Sequence, residues 1–303
     1  MTKQERNKLA AEQALTRKKR RYRSNGYHVA MRFFKNKGAV VGLTLVAILA
    51  LMAITCPLWI DYDTQVVGEN VLERLQWPSG KHWFGTDDLG RDLFSRIIWG
   101  SRVSLSIGVI ACLVSFIIGV PIGALCGYYG QRVDMVVMRV VDVFASIPDI
   151  LMGVVVVAIL GVNTINLMLA VGISSIPAFV KITRAAVMTV KNQEYVEACR
   201  ALGKSDAYII FKHIIPNCLS PIVVQASLRM ASAVISASSL SFLGLGVQPP
   251  SPEWGALLSA GRIYIRGYAY LTAFPGMMIC ITVVAFNLIG DALRDAMDPK
   301  LKR

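Results

Sequence analysis

The sequence predicts an all-helical integral membrane protein with six transmembrane helices. Of its 303 residues 54% are apolar and 17% are charged, a composition typical of polytopic membrane proteins. Six apolar runs are each long enough to cross a hydrocarbon core of about 30 Å, which takes about 20 helical residues. These runs cover residues 39–60, 103–128, 135–161, 164–187, 217–246 and 271–290.

A basic tail, residues 1–38, precedes the first transmembrane helix at 39–60. It holds 12 basic and two acidic residues and supplies most of the net charge of +13. The run Arg17 to Arg23 would attract anionic lipid headgroups by about 1 kcal/mol per basic residue. We therefore expect membrane lipid, and no nucleic acid, as a partner of this tail. The first apolar run begins too late and is too long for a cleavable signal peptide.

An extracytoplasmic segment is predicted at 61–101. It contains three aspartates near two arginines at helical spacing, which would neutralise them: Asp87, Asp88 and Asp92 with Arg91 and Arg96. We expect a capped helix that begins near Thr86 or Asp87 and lies against the membrane. Paired catalytic or metal-binding carboxylates are the disfavoured alternative.

Several charged residues fall within the later runs, where charge is costly and indicates function. Arg139 and Asp142 are three residues apart and are expected to pair with each other. Asp149 follows Pro148 and would need water or a backbone donor. Arg229 has no charged neighbour in sequence, so a cavity and a snorkelling contact both remain open. The candidate translocation-path residues are Asp149, Arg229, Ser236 and Ser239.

Small residues are frequent in the second and fifth runs. The second contains Gly108, Gly119, Gly123 and Gly127, and small residues allow helix backbones to approach closely in a membrane. The fourth run is the weakest prediction because Lys181 and Arg184 interrupt it. The six cysteines show no CxxC spacing and the three histidines are scattered, so a metal site within the chain is not expected.

The distribution of basic residues predicts the orientation. Lysine and arginine accumulate on the cytoplasmic side of membrane proteins. With the N-terminus inside, most of the 32 basic residues fall in inner segments. Both termini and the loop at 191–216 are then cytoplasmic, with a short tail at 292–303.

The cytoplasmic loop predicts a helical hairpin. Glu194 to Leu202 forms a first helix, and Gly203 supplies the positive φ that ends it. Ser205 or Asp206 caps a second helix from Ala207 to Ile215. On that helix the apolar stripe contains Ile209, Ile210 and Ile214, and Pro216 marks its end. A solvated amphipathic connector is the plain alternative. Gly203, Lys204 and Ser205 look like the end of a phosphate-binding P-loop, but Ala198 stands where that motif needs a glycine.

Four segments resemble one known family. Glu197-Ala198-Cys199, Gly203 and Ile215-Pro216 follow the spacing of the EAA loop of binding-protein-dependent ABC importer permeases, with Cys199, His213 and Ile215 as departures. Segments 84–108, 241–255 and 290–303 resemble the dipeptide, oligopeptide and nickel permease branch, and are most similar to its C-type subunits. The motifs occur in the family's order and span most of the chain after the basic tail.

The resemblance implies the type I ABC importer fold, with residues 102–291 as its five-helix core. It further implies a bacterial cytoplasmic-membrane complex with a second homologous permease, two cytoplasmic ATP-binding subunits and an external solute-binding protein. ATP and Mg²⁺ would bind the partner ATPases, and this chain would have no cofactor and no catalytic residue. The implied ATPase-coupling residues are Glu194, Tyr195, Glu197, Ala198, Arg200, Ala201, Gly203 and Pro216.

Peptides are the expected cargo. A nickel chelate and glutathione are alternatives within the same class of importer, because the branch shares these motifs across substrates. An ATP-independent secondary transporter and a membrane scaffold are the alternatives outside that class. The absence of a visible internal repeat disfavours the secondary transporter.

Overall fold

The computed structural model describes residues 25–297, and within that range the regular elements are helical. The predicted lipid-binding run Arg17 to Arg23 and the last basic residues, from Lys300 to Arg303, lie outside the described residues. The helices are α1 (Asn25–Lys35), α2 (Lys37–Thr55), α3 (Leu93–Tyr129), α4 (Gln131–Ala145), α5 (Asp149–Leu160), α6 (Thr164–Val190), α7 (Glu194–Ala201), α8 (Asp206–Ile209), α9 (Ile215–Asn217), α10 (Leu219–Phe242), α11 (Trp254–Gly261) and α12 (Tyr270–Met297).

Five of these helices, α2, α3, α6, α10 and α12, are long and apolar enough to cross a membrane. The third predicted run, 135–161, is not one straight helix, because α4 and α5 meet at a 90° bend. Pro148 stands at the bend as the residue before α5, where it lacks an N–H and disfavours helical geometry at Ile147. The total is six spans if the bent pair counts as one.

The predicted interfacial helix is wrong in its start and its extent. The helix begins at Leu93, where Asp92 accepts a hydrogen bond from the Ser95 amide at 2.8 Å. This helix is 37 residues long and includes the second predicted span, so residues 87–101 of the structure do not form a separate helix. An aspartate makes a good N-cap because its side chain satisfies an amide of the first turn. The helix therefore begins six or seven residues later than the predicted start near Thr86 or Asp87.

Asp87 instead organises the turn before α3. Its carboxylate accepts hydrogen bonds from the backbone amides of Leu89 and Arg91 at 2.9 and 3.0 Å, and from Arg91 Nε at 2.7 Å. The buried guanidinium of Arg96 lies 3.5 Å away. The predicted neutralisation of this aspartate by both arginines is confirmed.

The centre of the fold is the seam between α3 and α6, the most extensive helix contact in the described residues. Gly119, Gly123 and Gly127 line this seam. A Cβ atom at Gly123 would lie 2.5 Å from the carbonyl oxygen of Val180. The predicted close approach of backbones through small residues is confirmed at this seam.

Charged residues in the membrane find partners on other helices. Asp142 pairs with Lys181 of α6 at 2.9 Å, so the predicted pairing of Arg139 with Asp142 is wrong. Arg184, also on α6, binds both carboxylate oxygens of Asp134. The reason is that α4 packs alongside α6, which presents both basic residues to the aspartates of α4. These pairs also explain how α6 tolerates the two charges that interrupt its apolar run.

A buried glutamate joins two of the segments that carried the family resemblance. Glu253 is fully buried and caps α11 by accepting hydrogen bonds from the Gly255 and Ala256 amides, both at 2.9 Å. The Ser104 hydroxyl donates to the same carboxylate at 3.2 Å. Burial raises the pKa of Glu253, and these hydrogen bonds only partly oppose the increase. The first turn of α11 is thereby fixed to α3.

We expect the stability contributed by Glu253 to fall as the pH rises. The folded protein holds the carboxyl proton more tightly than the unfolded chain does. That contribution is therefore complete below the usual glutamate pKa of about 4.3 and is lost as the pH passes through the raised value. Glu253→Gln removes this titration, so the melting temperature of wild type minus that of the variant should decrease with pH. A pH-independent difference in thermal unfolding would contradict this assignment.

Candidate coupling hairpin and membrane path

The first half of the cytoplasmic hairpin is α7, and its end has the predicted form. Gly203 has φ of +69°. Its amide donates to the Arg200 carbonyl at 2.9 Å, and the Lys204 amide donates to the Cys199 carbonyl at 3.2 Å. This pair of hydrogen bonds is the Schellman arrangement, which needs a left-handed residue after the helix. The prediction that Gly203 terminates the helix in a tight turn is confirmed.

The second half of the hairpin differs from the single helix predicted between Ala207 and Ile215. Ser205 caps α8 by accepting from the Tyr208 amide at 3.4 Å. The chain then widens into a π-helical turn at Ile210–Ile214 before α9. Pro216 has no N–H to donate to the carbonyl four residues earlier, and such a loss favours irregular helical geometry. The predicted apolar stripe is confirmed, since its members are fully or almost fully buried: Ile209, Ile210 and Ile214.

The hairpin is fixed to the end of α3. Tyr128, near the end of α3, donates from its hydroxyl to the carboxylate of Asp206 at 2.6 Å. The guanidinium of Arg200 lies over the Tyr128 ring, 5.1 Å from its centroid. Val196 is fully buried, and Tyr195 packs against the same apolar cluster, where burial raises the pKa of its hydroxyl. One side chain of α3 thus holds both halves of the hairpin.

We expect Tyr128→Phe to loosen this attachment without unfolding the protein. The change removes one hydrogen bond to a carboxylate, worth about 1.5–3 kcal/mol, and keeps the ring beneath Arg200. Hydrogen exchange of amides in residues 194–217 should become faster, while exchange in α10 stays unchanged. Tyr268→Phe is the control, because Tyr268 lies just before α12 and packs against Trp77, away from the hairpin. Equal exchange in both variants would contradict the proposed attachment.

Most of the predicted coupling residues face away from the protein. Tyr195 is partly buried, and the others are exposed: Glu194, Glu197, Ala198, Arg200, Ala201, Gly203 and Pro216. Glu197 forms no salt bridge among the described residues. Ala198 is exposed as well, in the part of the chain that the structure describes.

Three large side chains of the hairpin surface were missed by the sequence analysis. Leu202 is 75% exposed, Phe211 60% and Tyr208 44%. All three are large apolar residues outside the buried isoleucine stripe. That position would have identified them from the sequence. Exposed apolar side chains beside an acidic helix are typical of a surface that another protein covers.

The candidate path residues Asp149 and Arg229 lie together. Arg229 Nη1 is 3.3 Å from Asp149 Oδ2, so its charged partner comes from a residue distant in sequence. The donor to Asp149 is a side chain rather than the water or backbone group that was expected. The bend before α5 explains the difference, because it brings the first residue of α5 to α10. Ser236 and Ser239 are partly buried, seven and ten residues after Arg229 on α10.

The comparisons with known proteins match this architecture. Residues 119–303 match the family described as binding-protein-dependent transport system inner membrane component. The chain belongs to this permease family. Residues 26–78 match the N-terminal transmembrane domain of oligopeptide transport permease C, which also confirms the resemblance to C-type subunits.

Curated relatives are similar over most of their length. The dipeptide transport system permease protein DppC of Alkalihalophilus pseudofirmus is 44% identical over 268 residues, covering 88% of each chain. The glutathione transport system permease protein GsiD of Pectobacterium atrosepticum is 44% identical over 274 residues, covering 89% of this chain and 90% of that one. The chain is therefore a multi-pass inner-membrane permease.

A solved structure confirms the fold. A chain of the inward-facing MetNI methionine ABC transporter matches with a TM-score of 0.55 at 21% identity. The match covers 67% of this chain and 97% of that one. At this identity the likeness supports the type I ABC importer transmembrane fold alone, as predicted from the sequence.

Proposed function

We propose that this permease forms half of a path that imports di- and oligopeptides, driven by ATP hydrolysis in partner subunits. The observation that carries the proposal is the hairpin, an exposed surface held firmly on the end of a transmembrane helix. Relatives named for dipeptide, di/tripeptide and glutathione transport support a peptide cargo. Glutathione is the second candidate, because a relative named for it is 44% identical.

The hairpin would work as a coupling element in the cytoplasm. Its exposed residues Leu202, Tyr208 and Phe211 would enter an apolar groove of an ATP-binding subunit, with Glu194 and Glu197 as charged contacts at the rim. Closure of that subunit on ATP would move the hairpin as a rigid body. Tyr128 would pass the movement to α3, and the tight seam between α3 and α6 would carry it into the membrane.

The full complex would contain this chain, a second homologous permease, two cytoplasmic ATP-binding subunits and an external solute-binding protein. ATP and Mg²⁺ would bind the ATPase subunits, and this chain would supply no cofactor or catalytic group. Both termini would lie in the cytoplasm. Asp149, Arg229, Ser236 and Ser239 would line the path, which the two permeases would enclose between them.

The test is ATP hydrolysis by the complex reconstituted in lipid, with and without binding protein loaded with a dipeptide. We expect loaded binding protein to stimulate hydrolysis and to drive peptide uptake. If only glutathione-loaded binding protein stimulates hydrolysis, the cargo is glutathione and the proposed coupling to ATP hydrolysis still holds. Hydrolysis that no loaded binding protein changes would reject the proposed function and favour an ATP-independent transporter or a scaffold.

A further inference from the structure

We propose that Asp149, Arg229 and the apolar cavity beside them form a binding site for a zwitterionic peptide with an apolar side chain. Asp149 would receive the peptide ammonium group, and Arg229 would receive its carboxylate. The inference rests on the proposed function and adds to it the chemistry by which the path holds its cargo.

The first observation is the incomplete pairing of the two charges. A single hydrogen bond of 3.3 Å joins them, and the Asp149 side chain remains 50% exposed and that of Arg229 24%. The pair Asp134–Arg184, by contrast, uses two hydrogen bonds, and its aspartate side chain is only 19% exposed. The second Asp149 oxygen and other Arg229 N–H groups are therefore available to a ligand. Charges in a transmembrane segment are costly and generally serve a function.

The second observation is an adjacent cavity of about 450 Å³ that is open on one side and has the volume of a small-molecule site. Its lining is mainly apolar, from α5 and α10 among other elements: Ile150, Ile235, Ser238, Ser239, Phe242 and Leu243. Ile150 is the residue after Asp149. The charged pair and the apolar cavity therefore share the same two helices.

The third observation is a hydroxyl group without a partner. Ser238 is 7% exposed and lines the cavity, and its Oγ atom has no hydrogen-bond partner among the described residues. An unsatisfied buried hydroxyl costs free energy unless a ligand or water completes it. Because the Oγ atom itself has almost no accessible surface, the Ser238 side chain would have to rotate before a peptide amide or carbonyl in the cavity could bond to it. The neighbouring Ser239 hydroxyl instead donates to the Ile235 carbonyl at 2.8 Å.

The dimensions fit a short peptide. Ile235 lies six residues beyond Arg229, or about 9 Å along the helix axis. An extended peptide reaches at most about 3.6 Å per residue, so the ends of a dipeptide are about 7 Å apart. A peptide held by its end groups at the charged pair would direct one side chain along α10 towards the cavity. Its ammonium group would bind the second Asp149 oxygen and its carboxylate the other Arg229 N–H groups, so the ion pair need not break.

The test is direct peptide binding to the complete complex in lipid nanodiscs without binding protein, measured by saturation-transfer NMR. The probes are Ala-Phe, N-acetyl-Ala-Phe and Ala-Phe amide. For the wild type we expect either modification to weaken binding at least fivefold. In the Asp149→Asn variant, acetylation of the peptide should no longer weaken binding, whereas amidation should still weaken it. In the Arg229→Gln variant, amidation should no longer weaken binding, whereas acetylation should still weaken it.

Two further variants separate recognition from stability. Asp142→Asn breaks an intramembrane ion pair away from the cavity and should leave the wild-type pattern intact. Ser239→Phe should fill the cavity and weaken Ala-Phe but not Ala-Gly. Equal binding of all three probes to wild type, or a uniform loss for all probes in both charge variants, would overturn the proposal. If loaded binding protein still stimulates ATP hydrolysis in that case, the peptide site fails and the proposed function stands.

Discussion

Gly203→Val is expected to abolish transport while the protein still inserts and folds in the membrane. Gly203 has φ of +69°, a region that costs about 1–2 kcal/mol for a residue with a side chain and more for a β-branched one. A Cβ atom there would meet no atom within 4 Å beyond its chain neighbours, so the expected effect comes from the backbone conformation. The valine would open the turn and displace the exposed surface of α7 from that of α8.

The valine substitution should reduce the coupling of transport to ATP hydrolysis more than it reduces the stability of the protein. We expect hydrolysis stimulated by loaded binding protein to fall at least tenfold in the reconstituted complex, with the chain still present in the membrane at its normal level. Gly203→Asn is the matched control, because asparagine tolerates the left-handed conformation, and it should keep most of the stimulation. Normal peptide uptake by the valine variant would contradict the proposed coupling role of the hairpin.

The parts of this fold that depend on local chemistry were predictable from the sequence. Gly203 ends α7 as expected because its turn is a property of three or four neighbouring residues. The buried face of the hairpin followed from the spacing of Ile209, Ile210 and Ile214. The apolar runs located five long helices because length and composition alone decide whether a helix can cross the bilayer.

The parts that depend on contacts between helices were not predictable. The partners of Asp142 and Asp149 are Lys181 and Arg229, which are distant in sequence. One sequence reveals only neighbours on the same helix, and that limit explains the wrong pairing of Asp142 with Arg139. The bend before α5 had a visible cause in Pro148, but proline also occurs inside the continuous helix α3 at Pro121. Packing decides which proline breaks a helix.

Gly123→Ala is expected to reduce the stability of the permease by about 1–3 kcal/mol, the usual cost of overpacking a tight core. The new methyl group would lie 2.5 Å from the Val180 carbonyl oxygen and 3.1 Å from the Arg184 amide nitrogen. Both atoms belong to the backbone of α6, so a side-chain rotation cannot relieve the contact. The two helices must separate.

The matched control is Gly276→Ala, in the membrane helix α12. Its methyl group would lie 3.6 Å from Leu258 Cδ1, an ordinary van der Waals contact. We expect the melting temperature in detergent to fall by several degrees for Gly123→Ala and to stay within about one degree for Gly276→Ala. Equal melting temperatures would show that the seam yields easily. A seam that yields could not carry a movement of the hairpin from α3 into α6, so this result would also count against the proposed route of coupling.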